Sequence, residues 1–268
     1  MKNFNELGLD KNFQKVFDEM GFDETTEIQE KVIPLAVAGK DLIAKSATGS
    51  GKTLAFGFPI IEKLKIRGGL QALILTPTRD LAEQISKFLK RFAKYKPLKI
   101  ITIYGGVALS PQIDDLEKAE IVVGTPGRIL DHLSRKTINL SKIKILVLDE
   151  ADRMLDMGFI RDVTDIIYHC PKKRQTLLFS ATISGDIKKI ADKYMINPVE
   201  VSAESYVDAS KLEQIFYDVP KKDKFSLLVH LLKKEDSALV MVFCNTKRTA
   251  ESVGNNLSQN GFDALALH

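Results

Sequence analysis

Between about residue 40 and residue 180 the chain alternates short apolar runs with stretches in which apolar residues recur at helical spacing. Asp41-Leu42-Ile43-Ala44, Leu73-Ile74-Leu75-Thr76, Ile100 to Tyr104, Ile121-Val122-Val123, Ile143 to Leu148 and Thr176 to Phe179 each predict a strand. Runs this rich in Ile, Leu and Val belong to strands covered on both faces, as in parallel sheets. Turn residues end them: a glycine-rich loop, Pro77, Gly105-Gly106 and Gly124-Thr125-Pro126-Gly127. Helical spacing follows near Gly51-Lys52, over Leu81 to Phe92 and through Ile129 and His132. Strand, turn and helix in repetition predict an α/β fold, a parallel sheet with helices on both faces.

From Ala203 to Lys211 the chain is polar and unpatterned, which predicts a linker. The alternation then resumes, predicting strands over Gln214 to Val219, Leu239 to Phe243 and Ala264 to Leu267, with helices over Lys224 to Lys233 and Lys247 to Gln259. The expected organisation is an N-terminal segment (1–30), a first α/β domain (31–203), a linker (204–211) and the first part of a second, incomplete domain (212–268). A last strand without later neighbours predicts that residues after about Ala209 are mobile or partly unfolded.

With 44% hydrophobic and 28% charged residues the composition is that of an ordinary soluble globular protein. A net charge of +4 is compatible with nucleic-acid binding without selecting it. Cys170 and Cys244, far apart and in apolar surroundings, read as buried free thiols of a reducing compartment, and no Cys/His spacing resembles a zinc site. The N-terminus lacks the apolar core of a signal peptide, and the longest apolar run, Ala238 to Cys244, is too short to span a bilayer. A cytoplasmic protein is expected.

Two loops carry chemistry. In Ser46-Ala47-Thr48-Gly49-Ser50-Gly51-Lys52-Thr53 the glycines let backbone N–H groups converge on phosphate oxygens, and the helix that starts there adds its positive end. Lys52 can neutralise the β- and γ-phosphates, and the Thr53 hydroxyl can hold Mg²⁺. The general phosphate-loop pattern wants Gly where Ser46 stands. The second loop, Asp149-Glu150-Ala151-Asp152, follows an apolar strand, at the end where an open α/β sheet places its ligand crevice. Three crowded carboxylates repel one another unless a cation or a polarised water occupies them. Asp149 can hold Mg²⁺ and Glu150 can polarise the attacking water for in-line displacement.

With these residues in place the chain resembles the DEAD-box RNA helicases, in the family's motif order from Phe4 to His268. Ser46 to Thr53 resembles motif I and Asp149 to Asp152 motif II. Gly21-Phe22, Thr26, Ile28 and Gln29 resemble the Q motif, which implies that the Gln29 amide reads the adenine edge and that Phe22 covers the ring. Phe4 resembles the isolated aromatic upstream, either a core anchor or a nucleotide contact. Pro77-Thr78-Arg79-Asp80, Gly105-Gly106 and Thr125-Pro126-Gly127-Arg128 resemble the motifs lining the RNA path, where contacts to backbone and 2′-OH groups imply sequence-independent binding. Ser180-Ala181-Thr182 resembles motif III, whose hydroxyls bond motif II carboxylates and couple hydrolysis to strand separation. Phe243-Cys244-Asn245-Thr246 resembles motif IV, although a helix cap explains it equally well.

The resemblance implies a RecA-like P-loop fold, ATP and Mg²⁺ as cofactors, RNA as partner and a monomeric protein. Lys87, Lys90, Arg91, Lys94, Lys96 and Lys99 form a run without an acid, either a solvated helix face or an RNA-facing patch. The chain departs from the family at Thr25, usually Pro, at Ser46, usually Ala, and at Asp80, usually Glu. Arg248 is the only arginine after Arg174, whereas the family's second lobe supplies arginines to the γ-phosphate. Loss of such an arginine costs on the order of 10³–10⁵ in rate, so an impaired isolated chain is expected. An ATP- and RNA-binding module without useful turnover, and a DNA helicase or unrelated P-loop ATPase, are the alternatives.

Overall fold

The computed structural model describes residues 11–203, 213–234 and 239–267, with side chains from Phe13 onward. Two compact units, Met1–Tyr206 and Val207–His268, divide the chain. Phe4 and the expected linker at 204–211 lie outside the described residues. The first unit runs α1 (Lys11–Met20), α2 (Glu27–Val37), β1 (Leu42–Lys45), α3 (Lys52–Lys63), β2 (Ala72–Leu75), α4 (Arg79–Phe92), β3 (Ile100–Ile103), α5 (Ser110–Leu116) and β4 (Ile121–Gly124). It continues through α6 (Pro126–Ser134), β5 (Ile145–Leu148), α7 (Ala151–Asp156), α8 (Ile160–His169), β6 (Gln175–Ser180), α9 (Gly185–Tyr194) and β7 (Val199–Ser202).

The strands pair in the order β3-β4-β2-β5-β6-β1-β7, every pair parallel. All six strands expected between residues 41 and 180 are present. Central strands are buried on both faces because alternate side chains enter different cores. Ile145 and Val147 of β5 join Phe56, Ile60 and Leu89 on one face; Leu146 and Leu148 join Ile129, Met154 and Ile166 on the other. Burying each such side chain stabilises by roughly 1.5–3 kcal/mol over leaving it exposed. The unexpected strand is β7. Its Val-Glu-Val-Ser alternates in burial, as an edge strand with one covered face does, and so lacked the continuous apolar signature of its neighbours.

The order of the strands decides where the motifs meet. The chain visits β1, β2, β3, β4, β5 and β6 in turn, yet the sheet places β6 beside β1 and gathers β2, β3 and β4 on the far side of β5. The loop after β1 therefore lies two strands from the carboxylates after β5, about 10 Å at the usual strand spacing, with the loop after β6 between them.

In the second unit the structure forms a short 3-10 turn at Lys221–Asp223, α10 (Lys224–Lys234) and α11 (Lys247–Gln259). The strands expected at 214–219, 239–243 and 264–267 are not formed among the described residues. A strand exists only through its ladder partner, and these segments have none; Phe216 and Phe243 are 88% and 90% exposed. Apolar patterning alone predicted them, and patterning does not supply a partner. The motif IV resemblance ends in a helix cap, since Thr246 Oγ1 accepts from the Thr249 N–H at 3.1 Å. Both cysteines are free, but only Cys170 is buried; Cys244 is half-exposed, contrary to expectation. Burial pushes the Cys170 thiol up to about 11.

Candidate nucleotide and RNA site

The phosphate loop is built against the segment that carries Gln29. Gly51 closes the loop as the N-cap of α3 with φ +91°, a left-handed conformation that side-chain-bearing residues avoid. The Thr26 hydroxyl donates to the Ser50 carbonyl at 2.7 Å, and Gln29 Nε2 donates to the Gly51 carbonyl at 3.1 Å. Gln29 Oε1 accepts from the Thr26 N–H at 2.9 Å. A Cβ on Gly51 would lie 2.3 Å from Gln29 Nε2, so only glycine allows this approach. After these bonds the Gln29 amide retains one N–H and one lone pair. Phe22 packs on Phe17 and Phe88, with ring centroids at 6.5 and 6.3 Å. Within the loop the Ser50 hydroxyl donates to the Ala47 carbonyl, while Thr48 reaches across to the carboxylates.

Asp149 extends the end of β5, its N–H donating to the Leu75 carbonyl at 2.9 Å. Glu150 then turns the chain into α7 with φ +53° and ψ +52°. That left-handed conformation is uncommon for a residue with a side chain and persists where surrounding contacts hold it. Here Thr48 Oγ1 donates to Glu150 Oε1 at 3.4 Å and Arg153 Nη1 to Oε2 at 3.3 Å. Arg153 is a neighbour that sequence reasoning missed; its spacing of three residues from Glu150 on a helix was the available signal.

Asp149 is 3% exposed, and Lys52 Nζ lies 4.0 Å from its Oδ1. Burial pushes the Asp149 carboxyl up to about 6, against the pull of Lys52 and with added repulsion from Glu150. Asp152 goes the other way. Burial would raise it, but hydrogen bonds from Thr182, Ser180 and Arg153 outweigh burial and hold it below the usual carboxylate range. Its Oδ2 accepts from the Ala181 N–H at 3.1 Å, the Thr182 N–H at 2.9 Å and the Thr182 hydroxyl at 3.1 Å. Ser180 Oγ accepts from the Asp152 N–H at 3.2 Å and donates to the Thr182 carbonyl at 2.7 Å.

A divalent cation fits this cluster. Thr53 stands in the first turn of α3, and Asp149 is a buried carboxylate whose charge a single lysine at 4.0 Å offsets incompletely. Both are oxygen donors, the kind Mg²⁺ takes. Among the described residues no group of three or more His, Cys, Asp or Glu is placed to hold a metal.

On the other side of β5 three loops follow adjacent strands. After β2, Pro77 is buried and Thr78 caps α4, its hydroxyl accepting from the Leu81 N–H at 3.4 Å. Arg79 lies over the Tyr104 ring, 5.0 Å from its centroid. After β3, Gly105 and Gly106 pass beneath Arg79; a Cβ on Gly106, at φ +82°, would come within 2.8 Å of its Nη1. After β4, Thr125 precedes α6, Pro126 begins it, and Gly127 is exposed in its first turn. The Arg128 side chain is 13% exposed, and both Nη atoms donate to the Val107 carbonyl at 3.1 Å.

The basic run lies elsewhere. Lys90 is about 16 Å along α4 from Arg79 at helical rise. Lys87, Lys94 and Lys99 pair with Glu83, Glu19 and Asp115, and Lys96 donates to the Glu62 carbonyl. The solvated-face reading fits this placement.

Residues 26–190 match the family described as DEAD/DEAH box helicase. The chain is 45% identical over 272 residues to ATP-dependent RNA helicase CshA of Listeria monocytogenes, covering all of this chain and 52% of that protein. It is 43% identical to DEAD-box ATP-dependent RNA helicase CshA of Geobacillus kaustophilus, again across the whole chain and 58% of the relative. A probable ATP-dependent RNA helicase of Methanocaldococcus jannaschii is 45% identical over 99% of this chain and 72% of its own length. The crystal structure of a DEAD box protein from the hyperthermophile Methanococcus jannaschii superposes with a TM-score of 0.74 at 44% identity, over 99% of this chain and 72% of that one. The chain thus spans about half the length of the CshA relatives. The family match covers more than half of the chain and includes the phosphate loop, the carboxylates and the three loops beyond β5. This protein belongs to the DEAD/DEAH box helicase family.

Proposed function

We propose that this protein is an ATP-dependent RNA helicase in which RNA-stimulated ATP hydrolysis drives local separation of short duplexes. The observation that carries this reading is the sorting of two sets of groups to either side of β5. Phosphate-loop residues Ala47 to Thr53, with the Q-motif residues Thr26 and Gln29 bonded to them, stand on one side; Phe22 packs nearby on Phe17 and on Phe88 of α4. Pro77, Thr78, Arg79, Gly105, Gly106, Thr125, Pro126, Gly127 and Arg128 stand on the other. Asp152, bonded to Thr182 and Ser180, sits at the boundary, where a change in the nucleotide can be felt by the RNA face.

In this reading the loop amides and Lys52 bind the ATP phosphates, and the free donor and acceptor of Gln29 meet the adenine edge. Thr53 and Asp149 would hold Mg²⁺, which when bound supplies charge neutralisation of the β- and γ-phosphates. Glu150 orients and polarises the attacking water; Thr48 and Arg153 fix its two oxygens. On the RNA side, helix N-terminal amides, hydroxyls and arginines suit phosphates and riboses, so binding is sequence-independent. A monomer acting in the cytoplasm completes the proposal. No helix among the described residues is long and apolar enough to cross a membrane.

A second reading has its own observation. The unit Val207–His268 contains a single arginine, Arg248, and it is exposed on α11. In this second reading the 268-residue chain alone is an ATP- and RNA-binding module with little turnover. Steady-state hydrolysis with and without single-stranded RNA separates the two. Robust RNA stimulation supports the helicase; binding of both ligands without stimulated turnover supports the module; failure to bind RNA, or salt-insensitive binding, refutes the RNA face.

A further inference from the structure

Behind the loops assigned to RNA lies a buried carboxamide to which the functional reading gives no role. Gln112, in α5, is 7% exposed. Its Oε1 accepts from Arg128 Nη1 at 3.1 Å and from His132 Nε2 at 3.0 Å, and its Nε2 donates to the Tyr104 carbonyl at 3.1 Å. Two nitrogens face the amide oxygen and one carbonyl faces the amide nitrogen, so the network sets the amide's orientation. It also places a proton on Nε2 of His132, which is fully buried on α6. Nδ1 lies 2.8 Å from the Thr137 hydroxyl, which also donates to the His132 carbonyl at 3.2 Å.

The consequences reach both arginines of the proposed RNA face. Arg128 is held by Gln112 and by the Val107 carbonyl, so its guanidinium and the segment from Tyr104 to Val107 are fixed to each other. Tyr104, whose carbonyl Gln112 holds, supports Arg79 on its ring and bonds Glu83 through its hydroxyl. A single side chain thus ties the loop after β3 to α6 and, through the tyrosine ring, to the start of α4. An unsupported arginine would have to give up rotamer freedom on meeting RNA; one already held loses less.

We propose that Gln112 is a positioning residue for RNA binding, holding Arg128 and the Tyr104–Val107 segment in their binding geometry, with His132 as its support. This rests on the assignment of Arg128 to the RNA face. The test uses the full 268-residue chain, fluorescein-labelled oligouridylate and a fluorescent ADP analogue. Gln112→Ala should weaken RNA about 10-fold or more, the scale of losing hydrogen bonds to a charged group, and leave nucleotide affinity within about two-fold. Arg128→Ala should weaken RNA similarly, and the double variant should be weaker than Arg128→Ala by less than the loss that Gln112→Ala causes alone. In ¹⁵N spectra the His132 imidazole should show the Nε2–H tautomer, with that signature lost in Gln112→Ala. Additive losses, unchanged RNA affinity in Gln112→Ala, or equal losses of RNA and nucleotide would overturn the proposal. If Arg128→Ala itself leaves RNA affinity unchanged, the assignment of Arg128 has failed, and the positioning role falls with it.

Discussion

Thr182 donates to Asp152 Oδ2 twice, through its backbone N–H at 2.9 Å and its hydroxyl at 3.1 Å, joining the ends of β6 and β5. The carboxylate is thereby stabilised in its charged form, which gives a sign to the acid stability of the first unit. Because the folded pKa lies below the ordinary 3.8, the unfolded chain binds more protons between the two values. The stabilisation is complete above the unfolded pKa and is lost as pH falls through the folded one. Asp152→Asn should lower stability at neutral pH and flatten the decline between about pH 5 and pH 2. Urea midpoints measured across that range check it; parallel acid limbs for both proteins would contradict it.

Glu150→Gln keeps the shape of the residue but removes the charge proposed to polarise water. RNA-stimulated hydrolysis should fall by about 10²–10⁴-fold, the usual scale for a lost acid–base group. Mg²⁺-ATP binding, followed by equilibrium fluorescence, should persist. Turnover equal to that of the parent protein would remove Glu150 from the mechanism.

Gly51→Ala places a methyl group 2.3 Å from Gln29 Nε2 at φ +91°. The left-handed backbone alone costs about 1–2 kcal/mol, and the collision displaces the amide assigned to adenine. Thermal stability and ATP affinity should both drop. Adding Gln29→Ala removes the collision but not the backbone strain, so it should recover at most part of the stability and none of the affinity, a pattern that thermal melts and nucleotide titration would read directly.

Ser46 is 2% exposed, and its hydroxyl has no partner among the described residues. Removing an unsatisfied buried hydroxyl relieves on the order of 1 kcal/mol. Ser46→Ala should therefore raise the melting temperature by about 2–4 °C for a domain of this size. A lower melting temperature would show that the hydroxyl has a partner in solution.

Much of the first unit was legible in the chain. Six of its strands carry continuous apolar runs, because burial on both faces leaves no room for polar alternation. The phosphate loop and the Asp149–Asp152 cluster were legible too, since converging backbone amides require glycine and crowded carboxylates require partners. What escaped was either one-sided or long-range. Edge strand β7 carries only half the signal, and Arg153 and Gln112 acquire meaning only from the groups they reach. In the second unit the apolar runs predicted strands, but a ladder needs a neighbour, and the described segments have none.

The sequence by itself determined which chemical groups stand at the ends of which strands, because local patterning and turn residues set each strand and its loop. Only the tertiary structure decided which of those ends are neighbours. Chain order interleaves the phosphate loop, the arginine-bearing loops and the carboxylates; the parallel sheet, free to insert β6 between β1 and β5, separates them into two faces meeting at Asp152. Hydrogen-bond pairing between strands distant in sequence is a long-range choice that local propensity does not encode. The conformation of Glu150 belongs to the same class: its left-handed turn is held by Thr48 and Arg153, contacts that exist only once the sheet is assembled.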